Sequence, residues 1–101
     1  MTASEITKWA KAELEKDGAR LNRVNNIPVR RRKGTIERGW ADLQGYTYDG
    51  VYLAVEVKTS GDRLSTFQIE RLNDIIECNG LAFIATESKG TPILRQWTGI
   101  E

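Results

Sequence analysis

The chain contains no histidine and a single cysteine, Cys78. Without imidazole there is no histidine base and no zinc site of the usual kinds, and a lone cysteine forms no internal disulfide. Any chemistry must therefore run on carboxylates, lysines, hydroxyls and water. Only two prolines interrupt the sequence, and no apolar run approaches the roughly 18 residues of a membrane span. The opening segment "MTASEITKW" has neither the basic nor the apolar region of a signal peptide, so a cytoplasmic location with no membrane partner is expected. What is present suits a compact fold. At 101 residues, 40% hydrophobic and 29% charged, the chain has the length of one domain, residues 1–101, and the composition of a globular protein.

The net charge of +1 conceals an asymmetry. Residues 1–40 carry ten Lys or Arg against five Asp or Glu, whereas residues 41–101 carry five against nine. Much of the basic excess is the run Arg30-Arg31-Arg32-Lys33, with Arg20 and Arg23 before it and Arg38 after it. Such a run is either a solvated loop or an arm that contacts phosphates.

The apolar spacing of Ile6, Trp9, Ala10 and Leu14 predicts a helix from Thr2 to about Asp17, ended near Gly18. A short strand around Leu21 to Val24 precedes the basic segment, in which Pro28, Gly34 and Gly39 oppose regular structure. Strands at about Trp40 to Tyr48 and Val51 to Thr59 flank Asp49-Gly50, a hairpin signal. A second helix is expected from Ser65 to Asn79, with Phe67, Ile69, Leu72, Ile75 and Ile76 as its apolar set and Gly80 as its terminator. "LAFIAT" and "PILRQW" read as strands. Strand, helix, strand in the second half implies a crossover within a mixed sheet, so the class is α/β, a mixed central sheet flanked by helices.

One stretch resists a purely structural account. In "VYLAVEVK", alternation puts Leu53, Val55 and Val57 on one face and Tyr52, Ala54, Glu56 and Lys58 on the other, so the second face ends in charge. An exposed ion pair would be the plain explanation. Asp42, at the start of the preceding hairpin strand, changes the balance, because the hairpin brings it near Glu56 and Lys58. Two carboxylates beside a lysine suit a hard cation such as Mg²⁺, which takes one or two carboxylates, keeps several waters and borrows further oxygens from a substrate phosphate. The register matters here. With a two-residue turn at Asp49-Gly50, Tyr48 would pair with Val51 and Asp42 would fall opposite Val57, on the wrong face. Either a three-residue loop over Tyr48, Asp49 and Gly50, with Gly50 left-handed, or a bulge near Gly45 would place Asp42 opposite Glu56.

These residues carry a family resemblance. Asp42, then Glu56-Val57-Lys58, then Gln68 at a helix start resembles the PD-(D/E)XK nuclease signature, and "RGWADLQGY" followed by "VYLAVEVKTSGDRLSTFQIERLNDIIECNGLAFIAT" resembles its VRR-NUC branch. The one departure is Ala41 in place of the nominal proline before Asp42. The resemblance implies a restriction-endonuclease-like core and an endodeoxyribonuclease dependent on Mg²⁺ or Mn²⁺. It further implies selectivity for branched DNA such as Holliday junctions, a homodimeric assembly, and no small-molecule cofactor. Carried over by position, Asp42 and Glu56 would bind metal with the carbonyl of Val57, Lys58 would orient the attacking water, Gln68 would reach into the site, and Glu5 would ligate directly or through water. Arg30, Arg31, Arg32, Lys33 and Arg38 would contact DNA.

Competing roles exist for several of these residues. Ser65-x-x-Gln68 and Thr2-x-x-Glu5 are both capping boxes, in which the third residue satisfies the backbone at a helix start. Trp9, Trp40 and Trp97 suit a core or an interface better than base stacking. A non-catalytic nucleic-acid-binding module that retains the fold is the alternative to the nuclease.

Overall fold

The structure, a computed structural model, describes residues 1–24 and 41–99. Arg30, Arg31, Arg32, Lys33, Arg38 and Trp40 lie outside the described residues. Helix α1 runs Ala3–Glu15. Thr2 caps it, and Ile6, Ala10 and Leu14, four residues apart, form one buried stripe. The strands are β1 (Arg20–Arg23), β2 (Leu43–Tyr46), β3 (Tyr52–Val57), β4 (Leu81–Ser88) and β5 (Thr91–Gln96), and helix α2 (Thr66–Glu77) connects β3 to β4. They form one sheet in chain order, β1-β2-β3-β4-β5. Among the described strands only the β3–β4 pair is parallel, as a crossover through α2 requires.

The two sheet faces bury separate cores. On one, α1 covers Leu21, Leu43, Leu53, Val55 and Ala85. On the other, Leu72 of α2 meets Ala82, Ile84 and Trp97, with Leu64, Ile69, Ile75 and Ile76 around them. Trp97 is a core residue whose indole Nε1–H donates to Asn73 Oδ1 at 2.9 Å, and Trp9 packs partly buried against the α1 core. Burying Leu72 contributes about 2 kcal/mol, and truncating it to alanine would cost about 2 to 5 kcal/mol.

Several sequence expectations need correction. The hairpin strands are shorter than expected because the ladder stops at Tyr46 and Tyr52. The left-handed residue ending α2 is Asn79 (φ 66°) rather than Gly80. The backbone N–H groups of Asn79 and Gly80 donate to the carbonyls of Ile76 and Ile75, closing a Schellman motif. Phe67, one of the expected apolar set of α2, is 47% exposed. Among the described residues no helix is long and apolar enough to cross a membrane.

The register of the hairpin decides what the fold can do. Tyr46 pairs with Tyr52, and Thr47 N–H donates to the Val51 carbonyl at 2.8 Å, leaving Tyr48, Asp49 and Gly50 as a three-residue loop with Gly50 at φ 86°. Gly45 makes no bulge; it pairs regularly with Leu53. Its lack of a side chain serves β1, since a Cβ there would lie 1.8 Å from the Arg20 carbonyl oxygen.

Candidate active site

Continuing the Leu43–Val55 pairing by one residue sets Asp42 opposite Glu56, on the α2 face of the sheet. Here the backbone ladder opens. Asp42 still accepts from Val24 N–H through its carbonyl at 2.8 Å, and its side-chain Oδ2 accepts from Val57 N–H, also at 2.8 Å. One carboxylate thus replaces a ladder partner and is fixed against the end of β3. On the other side of that strand, Lys58 N–H donates to the Ala85 carbonyl at 2.9 Å. The strand end is held from both flanks.

Glu56 is only 3% exposed, with the fully buried Ala54 before it on the same face. Its Oε1 accepts from Gln68 Nε2–H at 3.0 Å, and its Oε2 is buried without a hydrogen-bond partner among the described residues. Burial first, and then the adjoining Asp42 carboxylate, push the Glu56 carboxyl up to about 9, while Lys58 offsets part of the rise. At neutral pH the metal-free pair therefore keeps a proton, as two carboxyl groups sharing a site do.

Gln68 holds two roles at once. Its amide oxygen accepts from Ser65 N–H at 2.8 Å, completing the cap of α2, while its amide nitrogen donates to Glu56. Lys58 is half-buried on the same face and lines a groove of about 530 Å³ with Asp62, Arg63, Leu64, Ile69, Ile84, Thr86 and Arg95. No motif points to Arg63, Thr86 or Arg95. The available signal was alternation in β4 and β5, which puts Thr86 and Arg95 on the α2 face.

Glu5 is elsewhere in its contacts. Its Oε1 accepts from Thr2 N–H at 2.8 Å while Thr2 Oγ1 accepts from Glu5 N–H, a complete capping box on exposed chain. Among the described residues no group of three or more acidic, cysteine or histidine side chains could hold a metal ion. A cation at Asp42 and Glu56 would rest on two carboxylates, backbone carbonyl and water. The donors are hard oxygens, and the orphaned Glu56 Oε2 is a ligand in want of a partner, so Mg²⁺ or Mn²⁺ fits the set.

A mixed five-stranded sheet with a helix on each face is a restriction-endonuclease-like fold. A solved structure of the same fold is that of Hjc from Archaeoglobus fulgidus, a Holliday junction resolvase from an archaeal hyperthermophile. The two are 21% identical with a TM-score of 0.62, over 93% of this chain and 74% of that one. No family model matches the chain, and no curated protein matches it in sequence.

Proposed function

We propose that the chain is a divalent-metal-dependent DNA endonuclease, a single nuclease domain over residues 1–101 of the VRR-NUC kind, acting as a homodimer on branched DNA such as Holliday junctions. The observation that carries this reading is the register placing Asp42 beside the buried, half-unpartnered Glu56 carboxylate, with Lys58 following on the same strand face. The fold it shares with a Holliday junction resolvase supports the choice of DNA, and of branched DNA in particular. The homodimer is inferred from the symmetry of a substrate with two strands to cut.

Asp42, Glu56 and the Val57 carbonyl would hold Mg²⁺ or Mn²⁺. When bound, such an ion makes its water more acidic and neutralises charge growing on the phosphoryl oxygens. The chain's own residues do the positioning. Val57 N–H fixes the Asp42 carboxylate, Gln68 fixes one oxygen of Glu56 and leaves the other without a donor, and Lys58 would orient the attacking water and offset charge growing on the phosphoryl oxygens. The proton held by Glu56 must leave before both of its oxygens can serve as acceptors. Arg30, Arg31, Arg32, Lys33 and Arg38 are assigned to the DNA backbone by charge alone.

Incubating supercoiled plasmid and a synthetic four-way junction with the protein in Mg²⁺, Mn²⁺ or EDTA tests the reading. Cleavage with metal, none in EDTA, and none by Asp42→Asn is expected. Binding of DNA without cleavage under every condition would identify a non-catalytic module instead.

A further inference from the structure

The groove beside Lys58 concentrates positive charge in the acidic part of the chain. Residues 41–101 contain only five Lys or Arg, and three of them, Lys58, Arg63 and Arg95, line this one groove. The single carboxylate there, Asp62, is turned to its own loop: its Oδ2 accepts from the Thr59 hydroxyl and from Thr59 N–H at 3.3 Å. Those bonds hold its carboxyl below the usual range, so it stays ionised, one carboxylate against three basic side chains among the described lining residues.

The sheet places these groups relative to the carboxylates. Glu56 pairs with Ile84 and Ile84 with Arg95, so Asp42, Glu56, Ile84 and Arg95 form one row across four strands. Two strand spacings separate the Arg95 backbone from that of Glu56 by about 10 Å. Between the ends, Leu64, Ile69 and Ile84 supply an apolar wall and Thr86 a hydroxyl. At about 530 Å³ the groove exceeds what a lone phosphate fills and matches a nucleotide-sized group.

We propose that this groove is a subsite for nucleic acid, which binds the nucleotide next to the one at the Asp42–Glu56 pair, with Arg63 and Arg95 on its phosphate and Leu64, Ile69 and Ile84 against its sugar and base. The subsite rests on the reading of Asp42 and Glu56 as a phosphodiester-cleaving pair. Its function is register: a strand held at a second phosphate presents the scissile one to Lys58 in a fixed position.

The test uses the full chain carrying Glu56→Gln, which keeps DNA uncut, and reads the fluorescence anisotropy of a labelled four-way junction in EDTA across about 50 to 200 mM salt. Replacing Arg63 and Arg95 together by Gln should remove the one phosphate contact they share, flattening the salt slope by about 0.9 and weakening binding about 8-fold near 0.1 M salt. Arg95→Lys, with Arg63 intact, should retain the parent slope, and a thermal melt of each variant separates a lost contact from a lost fold. A junction carrying one neutral methylphosphonate beside the cleavage position mapped with wild type should bind the parent and the double Gln variant alike. An unchanged salt slope overturns the subsite. So does adenosine monophosphate competing as well as a junction of equal concentration, which would make the groove a site for free nucleotides. If the wild type cuts DNA while the slope is unchanged, only the subsite falls; if no DNA is bound or cut under any condition, the nuclease reading falls and the subsite with it.

Discussion

The two helices begin with the same device and put it to different use. Thr2 and Glu5 close a capping box on α1, and Ser65 and Gln68 close one on α2. Glu5 has only acceptor oxygens, and its interaction with Thr2 N–H keeps it exposed at its own helix end. Gln68 has an amide, whose oxygen suffices for the cap and whose nitrogen is left to donate to Glu56. The same kind of capping box is thus local at one helix and joined to the buried Glu56 carboxyl at the other. What differs is the third dimension: α2 begins beside the end of β3, on the face that Glu56 occupies.

The comparison breaks most sharply at the level of catalysis. Asp42→Asn or Glu56→Gln should lower cleavage by at least about a hundredfold, the scale of losing a principal electrostatic contact to the transition state. Glu5→Gln should leave turnover of folded protein within about twofold, because an amide oxygen can still accept from Thr2 N–H. A Glu5→Gln enzyme as inactive as Asp42→Asn, measured on the same junction, would show that α1 also feeds the site.

Stability against pH should run in opposite directions for the two helix starts. Glu56 in the fold holds its proton up to about 9, so its contribution is complete below the ordinary carboxyl range and is lost as pH rises toward 9. The slope in that window is at most about 1.4 kcal/mol per pH unit for one proton. Glu5 is lowered, first by the Thr2 backbone and then by its hydroxyl; its contribution is present above the ordinary range and disappears as pH falls through its folded value. Denaturant melts in EDTA from pH 5 to 9 should therefore slope downward for wild type and run nearly flat for Glu56→Gln. A wild-type profile already flat over that interval would mean that Glu56 is ionised and solvated.

Metal should sharpen the same contrast without DNA. At ten times its dissociation constant, Mg²⁺ should stabilise the protein by about 1.4 kcal/mol, several degrees for a chain of this size. Asp42→Asn should lose most of that response and Glu5→Gln should keep it. In EDTA, Asp42→Asn should melt no lower than wild type, since the substituted amide retains an oxygen for Val57 N–H and gains a donor for the orphaned Glu56 Oε2. An earlier melt in EDTA together with no Mg²⁺ response in either protein would make Asp42 a purely structural partner.

The smallest effect separates the two halves of the Gln68 amide. Gln68→Glu keeps the cap acceptor but removes the donor to the buried Glu56, so cleavage should fall about tenfold and the metal-free protein should lose about 1 to 3 kcal/mol. Gln68→Ala removes both, adding a capping loss of about 1 kcal/mol. Equal cleavage by wild type and Gln68→Glu would return this side chain to capping alone.

Short-range order was legible in the residues themselves. Alternation in Tyr52 to Lys58 set which face each side chain takes, apolar spacing set the buried stripe of α1, and hydroxyl residues before each helix marked both caps, because each depends on neighbours within a few positions of the chain. Asp42, Glu56 and Lys58 could be nominated on the same footing. Tertiary structure alone decided that the hairpin closes with three loop residues and so turns Asp42 toward Glu56, where the sequence allowed two registers. It also decided that Gly45 serves the close approach of β1, that Gln68 caps and reaches Glu56 together, and that Arg95 lies in line with Glu56 two strands away. The burial that raises Glu56 belongs to this second group. A carboxyl group's affinity for its proton depends on the water and charge around it, and those are supplied by strands and a helix distant in sequence, brought together only when the sheet closes over them.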